Sequence, residues 1–313
     1  MNFLKRYSAM WSPIDLIVIV FYSFLTVLNI IFAYKLPYWH IFISINIFIV
    51  VYVILIAYFE KEKPGKTIKA FHYWYLPPLI LLTFKELYFM IKPIREADYD
   101  QLLIAADRWI FGSADPTHLF MKIANPVLTE ILQIAYTSFF FLPMFLAVSF
   151  YLQKRYIEFE YSVYAVVFGF FLSYIGYFML PGVGPRFTLH DFALLEQELP
   201  GLFFTPFFRG VINAGGSVFP WTPDPTEFVQ RDVFPSGHTM MTLIVMYLSV
   251  KYRSKIKWFL CIMGTLLIIS TVYLRYHYVI DLIGGFIFML MSVPLGKYLF
   301  NYWNSKHKRE LIS

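Results

Sequence analysis

The sequence predicts an all-α fold, a polytopic membrane helix bundle with about eight transmembrane helices. Hydrophobic residues make up 59% of the 313-residue chain and charged residues only 15%, whereas soluble domains carry about 25% charged residues. Apolar runs of membrane-spanning length recur along the chain. The cationic residues are also distributed unevenly among the segments that connect these runs.

Composition limits the chemistry as well. The single cysteine, Cys261, lies in an apolar run, which excludes a disulfide framework and a cysteine zinc cluster and indicates core packing. The formal net charge is +6, but no basic block points to nucleic acid as a partner. Anionic lipid headgroups are the expected partners of the Lys and Arg residues in the loops.

Eight apolar runs match the length of a membrane span or approach it. The first follows Lys5 and Arg6, but it lacks a small-residue cleavage site and a second run soon follows. A retained helix is therefore favoured over a signal peptide. The runs cover residues 14–34, 39–59, 71–91, 126–150, 161–181, 237–252, 257–274 and 278–299.

An even number of spans places both termini on one side, and charge indicates which side. With the amino terminus in the cytoplasm, sixteen Lys and Arg residues fall in inner segments and nine in outer ones. Cytoplasmic loops are enriched in these residues. Both termini are therefore predicted to be cytoplasmic, and the long connections to face the periplasm, the exterior or a lumen.

Two long outer segments carry different patterns. Residues 100–111 have apolar side chains at a helical period and charges on the other face, which predicts a helix in the membrane interface. Residues 182–236 are rich in Pro, Gly and aromatic residues, which favours a lid on the membrane surface. The chain divides into residues 1–125, N-terminal helices with an interfacial segment, and residues 126–313, a catalytic bundle that includes the outer loop.

Two histidines at the outer ends of apolar runs are candidates for catalysis, because ionisable side chains in membrane helices indicate function by default. The spacing of His277 and Asp281 places them on one face of a helix. There the carboxylate can accept a hydrogen bond from one ring nitrogen, which leaves the other nitrogen free to attack. The alternative is an interhelical hydrogen bond in the core of a bundle.

The second histidine ends the segment Pro235-Ser236-Gly237-His238. Pro and Gly predict a turn, after which the amides of Ser236, Gly237 and His238 face outward at a helix start, a position that binds anions. His238 is then placed to protonate a leaving oxygen as a general acid. The alternative is a capped helix start with a surface histidine.

Arg186 follows a rigid turn of Pro and Gly residues, and its guanidinium fork suits phosphate oxygens. The alternative is an interfacial anchor. In the predicted topology Arg186, His238, His277 and Asp281 lie on the same side of the membrane, which favours a joint phosphate site. The outer segments show no His or carboxylate cluster at metal-ligand spacing, so neither a metal nor a cofactor is expected.

These motifs resemble the membrane branch of the type 2 phosphatidic acid phosphatase superfamily, the lipid phosphate phosphatases. The segment 235–238 matches the middle motif and 277–281 the last. Arg186 is the candidate for the first, although Pro precedes it here instead of following it. The resemblance covers about residues 161–299 and implies a six-helix phosphatase core toward the C-terminal half.

The resemblance also implies roles in metal-independent phosphoryl transfer. His277 would attack phosphorus and form a phosphohistidine, with Asp281 orienting it, while His238 would protonate the leaving group. Arg186 and the amides of 236–238 would hold the phosphoryl oxygens. The implied partners are a phospholipid, a lipid alcohol or water as acceptor, and the bilayer, with the oligomeric state left open.

The chain departs from the phosphatase pattern at two cationic positions, which here hold Met179 and Thr271. Arg275 and Arg231 are candidates to replace them in phosphate binding. A site with fewer cationic side chains loses more affinity for a dianionic phosphomonoester than for a monoanionic phosphodiester. Residues 276–285 also resemble the inositol phosphorylceramide synthase branch of sphingolipid metabolism. Transfer of an inositol-phosphate headgroup between lipids is therefore preferred to hydrolysis of a lipid phosphate monoester.

A lipid or solute transporter is the alternative of another class. Lys85 and Glu86 inside the third run support it, but it predicts broken helices and paired repeats, which the sequence does not show. Adjacent residues do not share a helix face, so these two are expected to have different partners. A structural pairing is favoured over a role in headgroup binding.

Overall fold

All regular structure in residues 10–219 and 221–313, the part of the chain that the computed structural model describes, is helical. Lys5 and Arg6 of the charge census lie outside these residues. The helices are α1 (Pro13–Ile31), α2 (Trp39–Glu62), α3 (Lys66–Trp74), α4 (Leu76–Ile94), α5 (Asp100–Ile110), α6 (Pro116–Met121), α7 (Pro126–Thr137), α8 (Phe141–Leu152), α9 (Tyr156–Tyr177), α10 (Pro185–Thr188), α11 (Leu195–Glu198), α12 (Thr205–Gly215), α13 (Pro225–Phe228), α14 (Gly237–Lys251), α15 (Lys257–Tyr273) and α16 (Val279–Lys306).

Five of the described segments are long and apolar enough to cross a membrane: α1, α2, α7 with α8, α9 and α16. Helices α7 and α8 form one span because a short 3-10 turn joins them. The all-α membrane class is thus confirmed. The three other predicted spans correspond to α4, which carries three charged side chains, and to α14 and α15, which have 15 and 17 residues.

Helix α9 is the central element of the bundle. It packs against α1, α4, α8, α14 and α16, and 67% of its most apolar stretch is buried inside the protein. Helix α14 in turn packs on α15 and α16. The two helices that begin at the histidine motifs, α14 and α16, are therefore held side by side against α9.

A buried carboxylate joins the N-terminal helices. The side-chain amides of Asn29 on α1 and Asn46 on α2 each donate to one oxygen of Glu86 on α4, at 2.8 Å. The ammonium of the neighbouring Lys85 points elsewhere and donates to the carbonyl of Gly215, at 2.6 Å. The prediction that Lys85 and Glu86 have different partners is confirmed.

The outer segments are also helical. The predicted interfacial helix is α5, whose Asp100 and Asp107 are buried while Trp109 is 86% exposed. The segment 182–236, predicted as a loop, contains four short helices, α10 to α13. Both segments therefore lie over the end of the bundle where α14 and α16 begin.

Candidate active site

The two histidine motifs meet where α14 and α16 begin. The Ser236 hydroxyl caps α14 by accepting from the Thr239 amide at 3.2 Å, and the Ser236 amide donates to the carbonyl of Asp281 at 3.0 Å. Glycine is required at position 285 for this close approach, because a Cβ there would lie 2.6 Å from the Ser236 carbonyl oxygen. Packing of α14 on α16 thus brings the two motifs together.

His277 lies before α16, not on it. The sequence prediction placed His277 and Asp281 on one helix face, but the helix begins at Val279, so this geometry was wrong. Asp281 is the third helical residue, and its Oδ2 accepts from the amide of Tyr278 at 2.8 Å. Because this cap folds the chain back, the same oxygen still lies 3.4 Å from Nδ1 of His277.

The hydrogen bond that sets the His277 tautomer goes to the backbone. Nδ1 lies 2.9 Å from the carbonyl oxygen of Val233, a closer acceptor than Asp281. A carbonyl can only accept, so Nδ1 carries the proton and Nε2 keeps its lone pair. Nε2 faces Nδ1 of His238 at 3.4 Å.

Aromatic side chains hold the His238 ring. Tyr136 stacks on it with ring centroids 4.6 Å apart, and Phe139 packs at 4.3 Å. Tyr136 stacks in turn on Tyr276, at 4.3 Å. These contacts with α7 and the turn that follows it place the His238 ring opposite His277.

Burial also sets the charge of His277. It lowers the pKa of His277 to about 4, while the nearby carboxylate of Asp232 and the Val233 carbonyl oppose this shift and Arg186 reinforces it. His277 is therefore neutral at pH 7, as a nucleophile requires. Burial raises the pKa of Asp232 above its ordinary value, and the charge of Arg186 offsets part of this rise.

Arg186 has donors available for a ligand. The side chain is buried, stacks on the Tyr276 ring at 4.8 Å and donates from Nη1 to Oδ1 of Asn213 at 2.9 Å. Within the described residues its Nε and Nη2 have no hydrogen-bond partner. Its amide donates to the carbonyl of Arg275 at 3.0 Å, which ties the first motif to the last.

The other two predicted phosphate ligands already have carboxylate partners. Arg231 contacts both oxygens of Asp98 at 3.1 Å, and Arg275 is paired with Glu198. In the described part of the chain, no hydrogen bond joins either guanidinium to His238 or His277. Arg275 keeps Nε and Nη2 buried without a hydrogen-bond partner among those residues, so its donors are free although its charge is balanced.

The turn before α14 offers two amides instead of the predicted three. The Ser236 amide is engaged by the Asp281 carbonyl, so its prediction as an outward-facing donor was wrong. No described residue accepts a hydrogen bond from the amide of Gly237 or His238. These two amides stand at the positive end of α14, which suits an anion.

Two carboxylates of α5 position the motif loops. Asp100 accepts from the amides of Val183 and Gly184, at 3.0 and 2.9 Å, and from the Tyr278 hydroxyl at 2.8 Å. Asp107 accepts from the first two amides of α16, at 2.9 and 2.7 Å. One helix therefore sets the distance between the turn before Arg186 and the segment that carries His277.

The polar residues of this arrangement that were not predicted include Asp100, Asp107, Asn213 and Asp232. The seven-residue spacing of Asp100 and Asp107 puts them on one helix face, and this was a usable signal. Asp232 was a second usable signal, because it lies four residues before Ser236. Asn213 carries no such signal, because its role depends on where α12 packs.

In the described residues no group of three or more His, Cys, Asp and Glu side chains could hold a metal ion. A family model described as the PAP2 superfamily matches residues 101–295. The matched range contains Arg186 and both histidine motifs, and it begins after α4. Searches of curated proteins and of solved structures found no match.

Proposed function

The chain belongs to the PAP2 superfamily and is an enzyme of the phosphatase or phosphotransferase type acting on lipids, and from this premise we propose that it transfers a phosphorylated headgroup between lipids. The headgroup is of the inositol-phosphate type, the donor is a phospholipid and the acceptor is a lipid alcohol. The reaction takes place at the extracytoplasmic side of the membrane.

Transfer proceeds in two steps through a phosphohistidine. Nε2 of His277 attacks phosphorus, the bond from phosphorus to the diacylglycerol oxygen breaks, and His238 gives that oxygen a proton. The acceptor hydroxyl then attacks phosphorus, the phosphorus–nitrogen bond breaks, and the hydroxyl proton passes to His238. Arg186 and the amides of Gly237 and His238 stabilise the charge on the phosphoryl oxygens.

The observation that carries this mechanism is the orientation of His277. Its Nδ1 donates to the Val233 carbonyl, so the lone pair of Nε2 is directed at His238, 3.4 Å away. A phosphoryl group in line between the two rings needs more room than this contact leaves. The His238 ring therefore moves away from His277 when substrate enters.

Charge supports a diester substrate. Two of the three arginines predicted to bind phosphate are in ion pairs, Arg231 with Asp98 and Arg275 with Glu198, whereas Arg186 forms no ion pair within the described residues. Asp232 adds a carboxylate that interacts with both His277 and Arg186. So little net positive charge suits a monoanionic phosphodiester better than a dianionic phosphomonoester.

Product analysis tests the proposal. Purified protein in vesicles receives phosphatidylinositol labelled in the inositol phosphate, together with ceramide, and in a second reaction labelled phosphatidic acid. We expect the label to move to a new lipid in the first reaction. Release of free phosphate from phosphatidic acid as the only reaction would contradict headgroup transfer and support a phosphatase.

A further inference from the structure

Helix α12 is amphipathic, but its polar and apolar faces are reversed relative to a surface helix of a soluble protein. Its polar side chains face the protein: Thr205 and Arg209 are buried, and Arg209 is paired with Glu196. Aromatic side chains of the helix and of the segment before it face outward, with Phe203 83% and Phe207 67% exposed. Leu202, Phe203 and Phe204, which precede the helix, form one outward surface with Phe207 and Val211 of the helix, and this surface is called the apolar face of α12.

A carboxylate fixes the depth of this helix relative to the bundle. Glu130 on α7 accepts from the amides of Leu202 and Phe204, at 2.8 and 2.6 Å, and from the Thr205 hydroxyl at 2.7 Å. Glu130 lies four residues inside the span that begins at Pro126. At 1.5 Å per residue this is about 6 Å below the outer end of the span, the depth of the membrane interface.

Helix α12 lies beside a membrane span that exposes apolar side chains. Helix α12 packs on α7, and Val127 and Ile131 of α7 are exposed apolar residues of a membrane span. Aromatic side chains favour the interface between headgroups and hydrocarbon. The outer leaflet is therefore the surface that fits this face.

The other end of α12 reaches the candidate active site. Asn213, in its last turn, accepts from Nη1 of Arg186 at 2.9 Å. The ammonium of Lys85 on α4 donates to the carbonyl of Gly215, the last residue of the helix, at 2.6 Å. The position of α12 therefore determines the position of a side chain that holds the phosphate-binding arginine.

We propose that the apolar face of α12 docks into the outer-leaflet interface and that this contact holds Asn213 against Arg186. The lipid surface thereby becomes part of the structure that orders the site. The membrane contact stands independently, whereas its effect on turnover rests on the proposed phosphoryl transfer. A short helix held in the interface by its apolar face has the form known from peripheral membrane anchors.

Site-directed spin labelling tests the membrane contact without any assay of activity. The single cysteine makes Cys261→Ser the background. Labels are placed at Phe203→Cys and Phe207→Cys, and at Gln197→Cys, an exposed position of α11, as the matched control. In phosphatidylcholine vesicles we expect the labels at 203 and 207 to collide more with oxygen than with a water-soluble nickel chelate, and the label at 197 to show the reverse.

Two outcomes would overturn the membrane contact. Nickel accessibility at 207 equal to that at 197 would place the helix in water. Dipolar broadening between labels at 207, with low accessibility to both reagents, would show that a second copy of the chain covers the face. Both results are independent of whether the protein transfers headgroups.

A double-mutant cycle tests the coupling to the site. We expect Phe204→Ser with Phe207→Ser to lower headgroup turnover several-fold, and Asn213→Ala to remove most of that effect, since coupled residues are not additive. Fully additive losses would overturn the coupling. If the unaltered protein turns over no phosphodiester while the spin labels report membrane contact, the proposed function fails and the membrane contact stands.

Discussion

His277 presents one ring nitrogen to the protein and the other to the site. The Val233 carbonyl accepts from Nδ1 at 2.9 Å, and Asp281 lies farther away at 3.4 Å. A backbone acceptor cannot take up a proton, so it fixes the tautomer at every pH where the ring is neutral. The contribution of Asp281 is mainly to cap α16.

Replacing either histidine separates their roles. His277→Ala removes the proposed nucleophile, so turnover and the phosphoenzyme should both disappear. His238→Ala removes the proposed proton donor and should lower turnover about 10²- to 10⁴-fold. Single-turnover experiments with labelled substrate measure both, with His118→Ala on α6, where the side chain is exposed, as the control. Phosphoenzyme in the His277→Ala protein would refute the assigned nucleophile.

The buried state of His277 predicts an unusual dependence on pH. Its pKa lies at about 4, below the ordinary value of about 6.5, and only the neutral ring can attack. The value of kcat/KM should therefore hold as pH falls through 6.5 and decline as it approaches 4. The measurement is kcat/KM against pH, which reports the free enzyme. An acid limb centred near 6.5 would contradict this assignment.

At the scale of elements, helix α5 holds two segments of the site in position. Its two buried carboxylates bind amides of the first-motif turn and of the start of α16. The turn also requires Gly184, whose φ is +94° and whose Cβ would lie 2.9 Å from the Tyr276 carbonyl oxygen. The positions of Arg186 and His277 thus depend on α5, a helix that contributes no side chain to the proposed reaction.

Asp107→Asn tests whether α5 positions the start of α16. The amide replaces a carboxylate oxygen that accepts from α16 with a donor, so the start of α16 should shift. Because misplacement by about 1 Å can cost about 10²-fold in rate, kcat should fall by that order while KM changes little. The matched control is Asp115→Asn, whose ion pair with the exposed Arg108 is screened by solvent and contributes little to stability. Unchanged kcat would show that α5 does not position His277.

At the scale of the whole molecule, the helices that the family model matches follow four helices that it does not match. The family match begins at residue 101, after α4, and Glu86 ties α1, α2 and α4 together through two asparagine amides. Lys85 links the same helix to α12. The N-terminal helices therefore support the outer segment over the site.

A labelling experiment tests the predicted orientation of the protein in the membrane. In the Cys261→Ser background, Gln197→Cys marks the side of the site and Lys255→Cys, exposed between α14 and α15, marks the opposite end. The excess of Lys and Arg in the inner segments leads us to expect that an impermeant thiol reagent modifies 197 in intact cells and 255 only after permeabilisation. The reverse pattern would place the site in the cytoplasm.

The amino-acid sequence by itself determined the membrane class, most helix positions and the two histidine motifs. Hydropathy sums over neighbouring residues, and caps such as Ser236 act within three or four positions, so these features are local. The tertiary structure decided the rest. Asp107 meets the amide of Ile280 across 173 positions of the chain, and Asn213 meets Arg186 only because of where α12 packs. Such contacts depend on how helices pack, which no local pattern records.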